Sequence, residues 1–551
     1  MPFRWFLMRG GTGIFSLFIQ THLAARTVPP RLVVGIVVDQ MRADYLRRFV
    51  PSKSSGFGRL LREGIVFWNA HYNYFPTYTG PGHASIYTGA TPAFHGIAAN
   101  TWWDRTLQKS YYCVLDTTVQ PVGASGEAGR RSPRTLLATT ITDELRYATR
   151  YQGKVIGLAL KDRSAILPAG RSANLALWFD TESGNWITST YYASDLPPWV
   201  KAFNSRKLPD SLLKLPWTMS VRLACTDDSP YEGHLSGESN ATFPHQPRTY
   251  KDLILTPAGN YLTLTLAREA IQHENLGKDR YPDFLCISLS TPDLVGHLFG
   301  TESCELEDLY KTLDAQIADF LNFLDQRFRA GEVLVFLTAD HGASPTPEAL
   351  AEKGLSAGRF PEKEMITRAE AFLHEALKIR DTIQIIATYI NQSFYFSSGL
   401  SLDLRRQAAR LLKEYLLQRS DIVAAYTREE LTGPGSSYYP VARLQAGFFP
   451  SRSGDVVLVY APGWIESEGY VKGTTHGSIW TYDTHVPLIF WWPGVRNEYR
   501  YEQVPITAIA PTLAFLLGVP LPSATFSGPL LPVIEAWKVP SALTWEVISG
   551  P

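Results

Sequence analysis

Short apolar runs rich in Val, Ile and Leu, with little alternation between apolar and polar residues, recur along the chain. Strands that are buried on both faces of a sheet have this composition, whereas strands with one exposed face alternate. Six buried strands are therefore predicted, at residues 32–38, 155–160, 284–289, 333–337, 456–460 and 487–491.

Helical periodicity separates several of these runs. Between 284–289 and 333–337, apolar residues recur at helical spacing and predict one long amphipathic helix, whose buried face consists of Leu306, Leu309, Leu313, Ile317, Leu321 and Leu324. A second helix is predicted over residues 509–517, because Gly518 follows it and glycine is common directly after a helix. This alternation predicts an α/β fold with a mostly parallel central sheet and helices on both of its faces.

Two regions differ from the rest of the chain in composition and in the elements that they predict. Residues of about 181–255 are rich in Trp, Tyr, Pro and Ser, and residues of about 342–450 mix helical patterns with a small strand unit. We interpret both as insertions that cap the strand ends of one domain over residues 30–530, followed by a C-terminal tail over 531–551. A chain of 551 residues suits one large domain with insertions, or two to three domains.

The N-terminal segment has the pattern of a signal peptide. Arg4 and Arg9 precede a short apolar run over residues 14–19, and small residues follow at Ala24 and Ala25. The run is shorter than the stretch of about 20 apolar residues that a membrane-spanning helix needs. We therefore predict a signal peptide over residues 1–25, a periplasmic or secreted protein, and no stable membrane span after its removal.

Charge and cysteine content narrow the class of protein. The chain has 52 Lys and Arg residues against 52 Asp and Glu residues, so no broad positive field exists to hold nucleic acid as a main partner. The four cysteines allow zero, one or two disulfides in an oxidising compartment. The four are Cys113, Cys225, Cys286 and Cys304, and none stands in a C-x-x-C pair. Cys286 lies inside an apolar run, so we expect it to be a buried thiol.

Residues that bind metals follow the apolar runs. In α/β sheets, functional sites form at the carboxyl ends of the strands. Carboxylates and imidazoles stand directly after three of the runs and in a Gly-Thr-Thr-His-Gly segment, at Asp39, Asp293, His297, Asp340, His341 and His476. One such Asp is most often a cap or turn residue, and a lone His is usually structural, but the joint pattern predicts two metal-binding triads. Oxygen and nitrogen ligands without thiolate suit catalytic Zn²⁺.

Thr79 is a candidate nucleophile. It precedes Gly-Pro-Gly at the start of a short predicted helix. The free N–H groups and the dipole at a helix N terminus favour an alkoxide and an incoming phosphoryl oxygen. Taken alone, a Thr in this position is simply an N-cap.

The motifs in this order resemble those of the alkaline phosphatase superfamily over residues of about 35–520. They are Asp39, Phe75-Pro-Thr-Tyr-Thr79, Ser85-Ile-Tyr-Thr-Gly89, His95-Gly-Ile-Ala-Ala-Asn100, Thr291-Pro-Asp-Leu-Val-Gly-His297, Thr338-Ala-Asp-His-Gly342 and Gly473-Thr-Thr-His-Gly477 with Tyr482-Asp483. Within the superfamily, the chain most resembles the phosphate-irrepressible, Thr-nucleophile alkaline phosphatases, which are related to the nucleotide pyrophosphatase/phosphodiesterases.

The resemblance implies two Zn²⁺ ions and a phosphate-binding group. One ion would be held by Asp39, Asp340, His341 and Thr79, and the other by Asp293, His297 and His476. The phosphoryl oxygens would be bound by Asn100, Lys161 and Arg163. Three carboxylates and a Thr79 alkoxide nearly cancel the charge of two Zn²⁺, so Lys161 and Arg163 would supply the positive charge that a phosphate dianion needs.

The function implied is hydrolysis of small phosphate monoesters by a monomeric, zinc-dependent alkaline phosphatase, through a phospho-threonine intermediate that releases inorganic phosphate. The main alternative is a phosphodiesterase or nucleotide pyrophosphatase that uses the same bimetallic site. A sulfatase is disfavoured because a C/S-x-P-x-R motif is absent from the sequence. A non-catalytic scaffold would be expected to have lost a ligand or the nucleophile. Three further histidines are interpreted as hydrogen-bonding residues near the site: His83, His95 and His485.

Overall fold

The computed structural model describes residues 28–50, 55–220, 225, 227, 229–467 and 472–537. The predicted signal peptide lies outside these residues, and so does the chain after Trp537. No helix in the described part of the chain is both long enough and apolar enough to cross a membrane.

The main sheet contains eleven strands within the described residues. Five adjacent strands at its centre are parallel, in the order Val333–Thr338, Leu32–Val38, Asp283–Leu289, Val155–Ala159 and Leu175–Asp180. Antiparallel pairing continues the sheet through His485–Trp491 and Ile65–His71 on one side and through Asn185–Ser189 and Pro121–Val122 on the other. Glu498–Arg500 and Val504–Pro505 pair in parallel with Ile65–His71. The predicted α/β class with parallel central strands is confirmed.

Helices pack against this sheet in two groups. Pro257–His273 and Cys304–Asp325 contact each other, and the first of them covers the strands 283–289 and 155–159. Thr79–Thr88, Asp162–Ala169 and Ile509–Leu517 belong to the other group. The two predicted helices are confirmed, the second ending at Gly518 in a left-handed conformation with φ 66°.

The remaining helices are short or belong to the connections between strands. They are Tyr45–Arg48, Phe57–Glu63, Pro92–His95, Ile141–Ala148, Pro198–Ser205, Leu208–Leu212, Tyr250–Leu253, Thr291–Phe299, Pro347–Glu352, Glu362–Leu377, Leu402–Leu416, Arg428–Thr432, Tyr439–Gly447, Thr481–Thr484 and Leu531–Ala536. Two 3₁₀ turns are at Glu127–Gly129 and Ile506–Ala508.

A second hydrophobic cluster lies in the part of the chain that connects the strand Val333–Thr338 to the strand His485–Trp491. It is built on a four-stranded antiparallel sheet, in the order Ile386–Ile390, Ser393–Phe396, Val456–Tyr460 and Ile422–Thr427, which the helices Glu362–Leu377 and Leu402–Leu416 cover. The predicted strand at 456–460 is therefore real, but its expected place in the main sheet was wrong. An apolar run indicates burial on both sides, and the run alone does not specify which sheet supplies the neighbours.

We call residues 358–466 the inserted module, because two of its smaller strands, Gly358–Phe360 and Trp464–Glu466, also pair with each other. The four-stranded sheet is completed only by Val456–Tyr460, which lies beyond the predicted insertion boundary at 450. A further two-stranded hairpin, Thr101–Asp104 with Lys109–Tyr112, follows the short helix Pro92–His95.

One disulfide joins Cys225 to Cys304, with 5.6 Å between their Cα atoms. Cys113 and Cys286 are buried free thiols, as was expected for Cys286. The bond fastens the region before the helix Pro257–His273 to the N terminus of the helix Cys304–Asp325.

This pairing predicts a definite labelling pattern. Alkylation of the urea-unfolded, unreduced protein should modify Cys113 and Cys286, and a reductant should add Cys225 and Cys304, as read by peptide mass spectrometry. Replacing both bonded cysteines by Ser should lower the free energy of unfolding by about 3 kcal/mol, because the bond closes a long loop in the unfolded chain. Labelling of all four cysteines without reductant would contradict the pairing.

Candidate active site

Three aspartates gather at one edge of the main sheet because three parallel strands end there together. The strand Leu32–Val38 lies between Asp283–Leu289 and Val333–Thr338, with Val37 in register with Ser288 and Thr338. The carboxylates that follow these strands, those of Asp39, Asp293 and Asp340, are buried. Parallel register thus brings together residues that are about 300 positions apart in the chain.

The predicted metal ligands form two separate triads. Asp293, His297 and His476 offer one oxygen and two nitrogens within 4.8 Å of one another, and Asp39, Asp340 and His341 offer two oxygens and one nitrogen within the same limit. The Nε2 atoms of His297 and His476 lie 3.2 and 3.5 Å from Asp293 Oδ1. The Nε2 atom of His341 lies 3.5 Å from one oxygen each of Asp39 and Asp340. Ligands of a tetrahedral zinc ion are about 3.3 Å apart, which matches these separations.

The three histidines are oriented in the same way. Each directs Nδ1 at a backbone carbonyl: His297 at Thr474 (2.9 Å), His341 at Gly342 (2.9 Å) and His476 at Thr77 (2.8 Å). A carbonyl only accepts, so Nδ1 carries the proton and Nε2 is left with a lone pair that faces the carboxylates. Burial lowers the pKa of His341 and of His476, which keeps both rings neutral, the form that binds metals.

Within the described chain, Asp39 Oδ1 and Asp340 Oδ2 are buried and accept no hydrogen bond. Burial raises the pKa of Asp39 well above its usual range, and the neighbouring carboxylates of Asp293 and Asp340 raise it further. Lone pairs and carboxylates that face each other without a donor need a cation between them. The side chains present therefore fit two divalent metal ions.

Lys161 lies among these carboxylates. Its Nζ donates to Asp39 Oδ2 over 2.7 Å and also to Asp293, which joins one ligand from each triad. Burial opposes its charge, but Asp293 and Asp39 outweigh burial and raise the pKa of Lys161. The predicted phosphate-binding lysine thus forms ion pairs with two predicted metal ligands, at the boundary between the triads.

Thr79 begins the helix Thr79–Thr88 and is buried. Its Oγ1 lies 3.3 Å from His341 Nε2 and 3.4 Å from Arg163 Nη2, so the hydroxyl stands between a predicted metal ligand and a cation. The helix can approach the ligand strand closely because residue 82 is glycine: a Cβ there would be 2.2 Å from the carbonyl oxygen of Asp340. Packing thereby explains the second glycine of the Gly-Pro-Gly sequence.

Arg163 and Asn100 flank the nucleophile from two other elements. Arg163 is the second residue of the helix Asp162–Ala169, which follows the strand Val155–Ala159, and its Nη1 donates to the hydroxyl of Tyr112 over 3.1 Å. That hydroxyl donates in turn to Asp162, which fixes the guanidinium from behind. Asn100 Oδ1 accepts a hydrogen bond from the backbone N–H of Gly80 over 2.7 Å. The NH₂ group of the same side chain therefore faces away from Gly80.

Sequence reasoning missed Gln40. Its side chain donates to Asp293 Oδ1 over 2.8 Å and its backbone N–H to Asp340 Oδ1 over 3.2 Å, so one residue links the two triads. It is buried and has a φ of 65°, which is uncommon for a residue with a side chain. A polar residue directly after a ligand Asp was the only signal available in the sequence.

The three other histidines near the motifs make hydrogen bonds, in agreement with their interpretation. His83 contacts the Thr79 carbonyl and Ser288 Oγ, each at 2.9 Å. His95 contacts Ser85 Oγ, and His485 contacts the Trp68 carbonyl. The loop around His476 is held by Asp483, whose Oδ2 accepts from the Ser478 N–H and whose carbonyl accepts from the Gly342 N–H.

Comparisons with known proteins show which family the chain belongs to. The chain matches the sequence profile of the Type I phosphodiesterase / nucleotide pyrophosphatase family over residues 33–485. A calcium-transporting ATPase of Myroides odoratus is 40% identical, over 92% of this chain and 95% of its own. Alkaline phosphatase PafA of Elizabethkingia meningoseptica is 37% identical, over 97% of this chain and 99% of its own.

The fold comparison gives the same answer. The crystal structure of wild type alkaline phosphatase PafA, 37% identical, superposes with a TM-score of 0.87 over 92% of this chain and 99% of that chain. The matched residues 33–485 include both triads and Thr79. The chain belongs to the type I phosphodiesterase / nucleotide pyrophosphatase family, within the alkaline phosphatase superfamily.

Proposed function

We propose that this protein is a zinc-dependent alkaline phosphatase that hydrolyses phosphate monoesters through a phospho-Thr79 intermediate. The observation that carries the proposal is the position of Thr79 Oγ1, which lies between His341 Nε2 and Arg163 Nη2 beside two ready-made ligand triads. The extensive similarity to a relative named as an alkaline phosphatase supports the same activity.

We propose two Zn²⁺ ions as the cofactors. Asp39, Asp340, His341 and Thr79 would hold one ion, and Asp293, His297 and His476 the other, in agreement with the neutral imidazoles and the uncompensated buried oxygens. When bound, zinc supplies Lewis-acid charge and lowers the pKa of water and alcohols.

The residues of the chain then have separate tasks. Thr79 attacks phosphorus in line, the alcohol leaves, and water hydrolyses the phospho-threonine to return the hydroxyl and inorganic phosphate. The N terminus of the helix Thr79–Thr88 favours the negative charge that gathers near it. The amide NH₂ of Asn100 and the guanidinium of Arg163 would donate to phosphoryl oxygens, in keeping with their contacts to Gly80 and Thr79.

Arg163 and Lys161 favour a monoester over a diester. A monoester carries two negative charges on its phosphoryl group, and a diester replaces one of them by a neutral substituent. Arg163 is held by Tyr112 within reach of Thr79, so its charge lies beside the reacting group. Lys161 would turn from Asp39 and Asp293 to phosphate once their charges are balanced by metal.

We further propose that residues 30–530 form one catalytic domain with the insertions described above and that residues 531–551 are a tail. Residues 1–25 would be a signal peptide for export to the periplasm or the medium. The protein would act as a monomer on small phosphate monoesters, without nucleic acid as a main partner.

Thr79→Ala should reduce phosphate release by at least about a thousandfold, because the nucleophile is lost. Acid quenching during turnover should trap phosphate on Thr79 of the parent protein, as read by mass spectrometry, and none on the Ala variant. Thr79→Ser is the matched control, since it keeps a hydroxyl and should keep the trapped ester. Full activity of the Ala variant would refute a threonine nucleophile.

Arg163→Ala should lower kcat/KM for an aryl phosphate about 10- to 100-fold, because charge-assisted hydrogen bonds to the dianion are lost. The loss on the matched methyl aryl phosphate diester should be much smaller. Arg280→Ala, an exposed arginine, serves as the control and should change neither rate constant. Equal losses of kcat/KM on the two esters would contradict the role of Arg163 in recognising the phosphate dianion.

Gln40→Met keeps the length of the side chain and removes the donor to Asp293. Retention of zinc should weaken about 10- to 100-fold, as happens when an outer hydrogen bond to a ligand is removed. The measurement is the rate of zinc transfer to a chromogenic chelator, with total metal determined by plasma mass spectrometry. The exposed Gln326→Met should release zinc as the parent does; equal release from both variants would exclude the linking role of Gln40.

A further inference from the structure

A cavity of about 340 Å³ lies next to residues that adjoin the candidate nucleophile in the chain and in the site. Two of its walls come from the active site itself: Asn100 and Tyr78, the residue directly before Thr79. Thr101 also lines the cavity, and the remaining walls come from the inserted module, through Glu362, Tyr389, Ile390, Asn391 and Glu466. Nothing in the mechanism above uses this space or assigns it a ligand.

The cavity is connected to the second ligand triad through Tyr78. The ring of Tyr78 meets the ring of His476 edge-on, with 5.5 Å between the centroids. On its other side, the hydroxyl of Tyr78 donates to Glu466 Oε2 over 2.7 Å. Tyr78 therefore links the second ligand triad to the wall of the cavity.

The module is fastened to the active-site loops around this space. Gln392 donates its backbone N–H to Glu466 Oε1 over 2.6 Å and its side chain to the Gly477 carbonyl over 3.1 Å. Asn391 donates to the Thr101 carbonyl over 2.6 Å. The cavity walls thus have the rigidity that a specificity pocket needs.

The charge of the walls has one sign. Among the described residues that line the cavity, two are acidic and none is basic. Glu466 is buried and accepts a hydrogen bond at each oxygen, an arrangement that suits the ionised carboxylate. Glu362 accepts from the Ser467 N–H over 2.9 Å. A phosphoryl dianion is repelled from such a cavity and directed to Arg163, whereas a cation is attracted.

We propose that this cavity receives the alcohol part of the substrate and favours phosphate monoesters whose alcohol carries an ammonium group. The inference rests on the proposed phosphatase function and adds a substrate class to it. Glu362 and Glu466 provide the negative charge, and the rings of Tyr78 and Tyr389 offer faces against which an ammonium group is also stable.

The test compares ω-aminoalkyl phosphates with alkyl phosphates of the same number of chain atoms, for example 2-aminoethyl phosphate with propyl phosphate, up to chains of seven atoms. At about pH 8.5 the phosphate is a dianion and the amine is protonated. For the chain length that reaches the two carboxylates, kcat/KM should favour the amine by about tenfold. A ratio of one or less at every length would overturn the proposal.

Two variants locate the effect. Glu362→Gln and Glu466→Gln should each reduce the ratio between the amine and its alkyl partner several-fold. Glu364→Gln is the matched control, because Glu364 lies on the same helix, pairs with Arg368 and does not line the cavity; it should leave the ratio unchanged. Glu362 is only partly buried, so its variant tests the idea even if the change at buried Glu466 prevents folding.

The two proposals fail in different ways. Phosphate release from the alkyl phosphates with no preference for amines would refute the cavity assignment and leave the phosphatase function standing. Absence of release from every ester by zinc-loaded protein would refute the phosphatase function and, with it, this inference. A preference for amines that survives in both Gln variants would also refute the assignment to this cavity.

Discussion

Three carboxylates buried at one edge of a sheet are the constraint on which the rest of this site depends. Asp39, Asp293 and Asp340 are forced together by the parallel register of their strands, in a place where water cannot screen their repulsion. Such a cluster is stable only with cations beside it. Lys161 already supplies one cation to two of the carboxylates, and the neutral histidines complete ligand sets for others.

Backbone carbonyl groups orient the three histidines of the ligand triads. Carbonyls of Thr77, Gly342 and Thr474 receive the Nδ1 protons of the three ligand histidines, so the chain itself selects the tautomer. Thr77 lies two residues before the candidate nucleophile, which ties the position of His476 to that of Thr79. Displacement of either loop would therefore disturb both the ligands and the nucleophile.

The candidate metal ligands and the proposed specificity cavity come from different parts of the chain. The triads are on the strands and loops of the main sheet, whereas the cavity beside Tyr78 is closed by the inserted module. Members of one family can keep the first set and change the second, so shared ligand triads are compatible with different leaving groups. Glu466 belongs to both parts, since it holds Tyr78 in place and gives the cavity its charge.

The sequence by itself determined the α/β class, most of the central strands, the long helix Cys304–Asp325, the family and the membership of both triads. The class, the strands and the helix follow from apolar runs and helical spacing, and the candidate ligands follow from polar residues directly after strands. The family and the division of those ligands into two triads follow from the resemblance of the motifs. The place of Val456–Tyr460 in a separate sheet, the Cys225–Cys304 pairing, the link through Gln40 and the ion pairs of Lys161 were decided only by the tertiary structure. Each depends on contacts between residues far apart in the chain, and local composition does not specify which distant partner a buried strand, thiol or charge will meet.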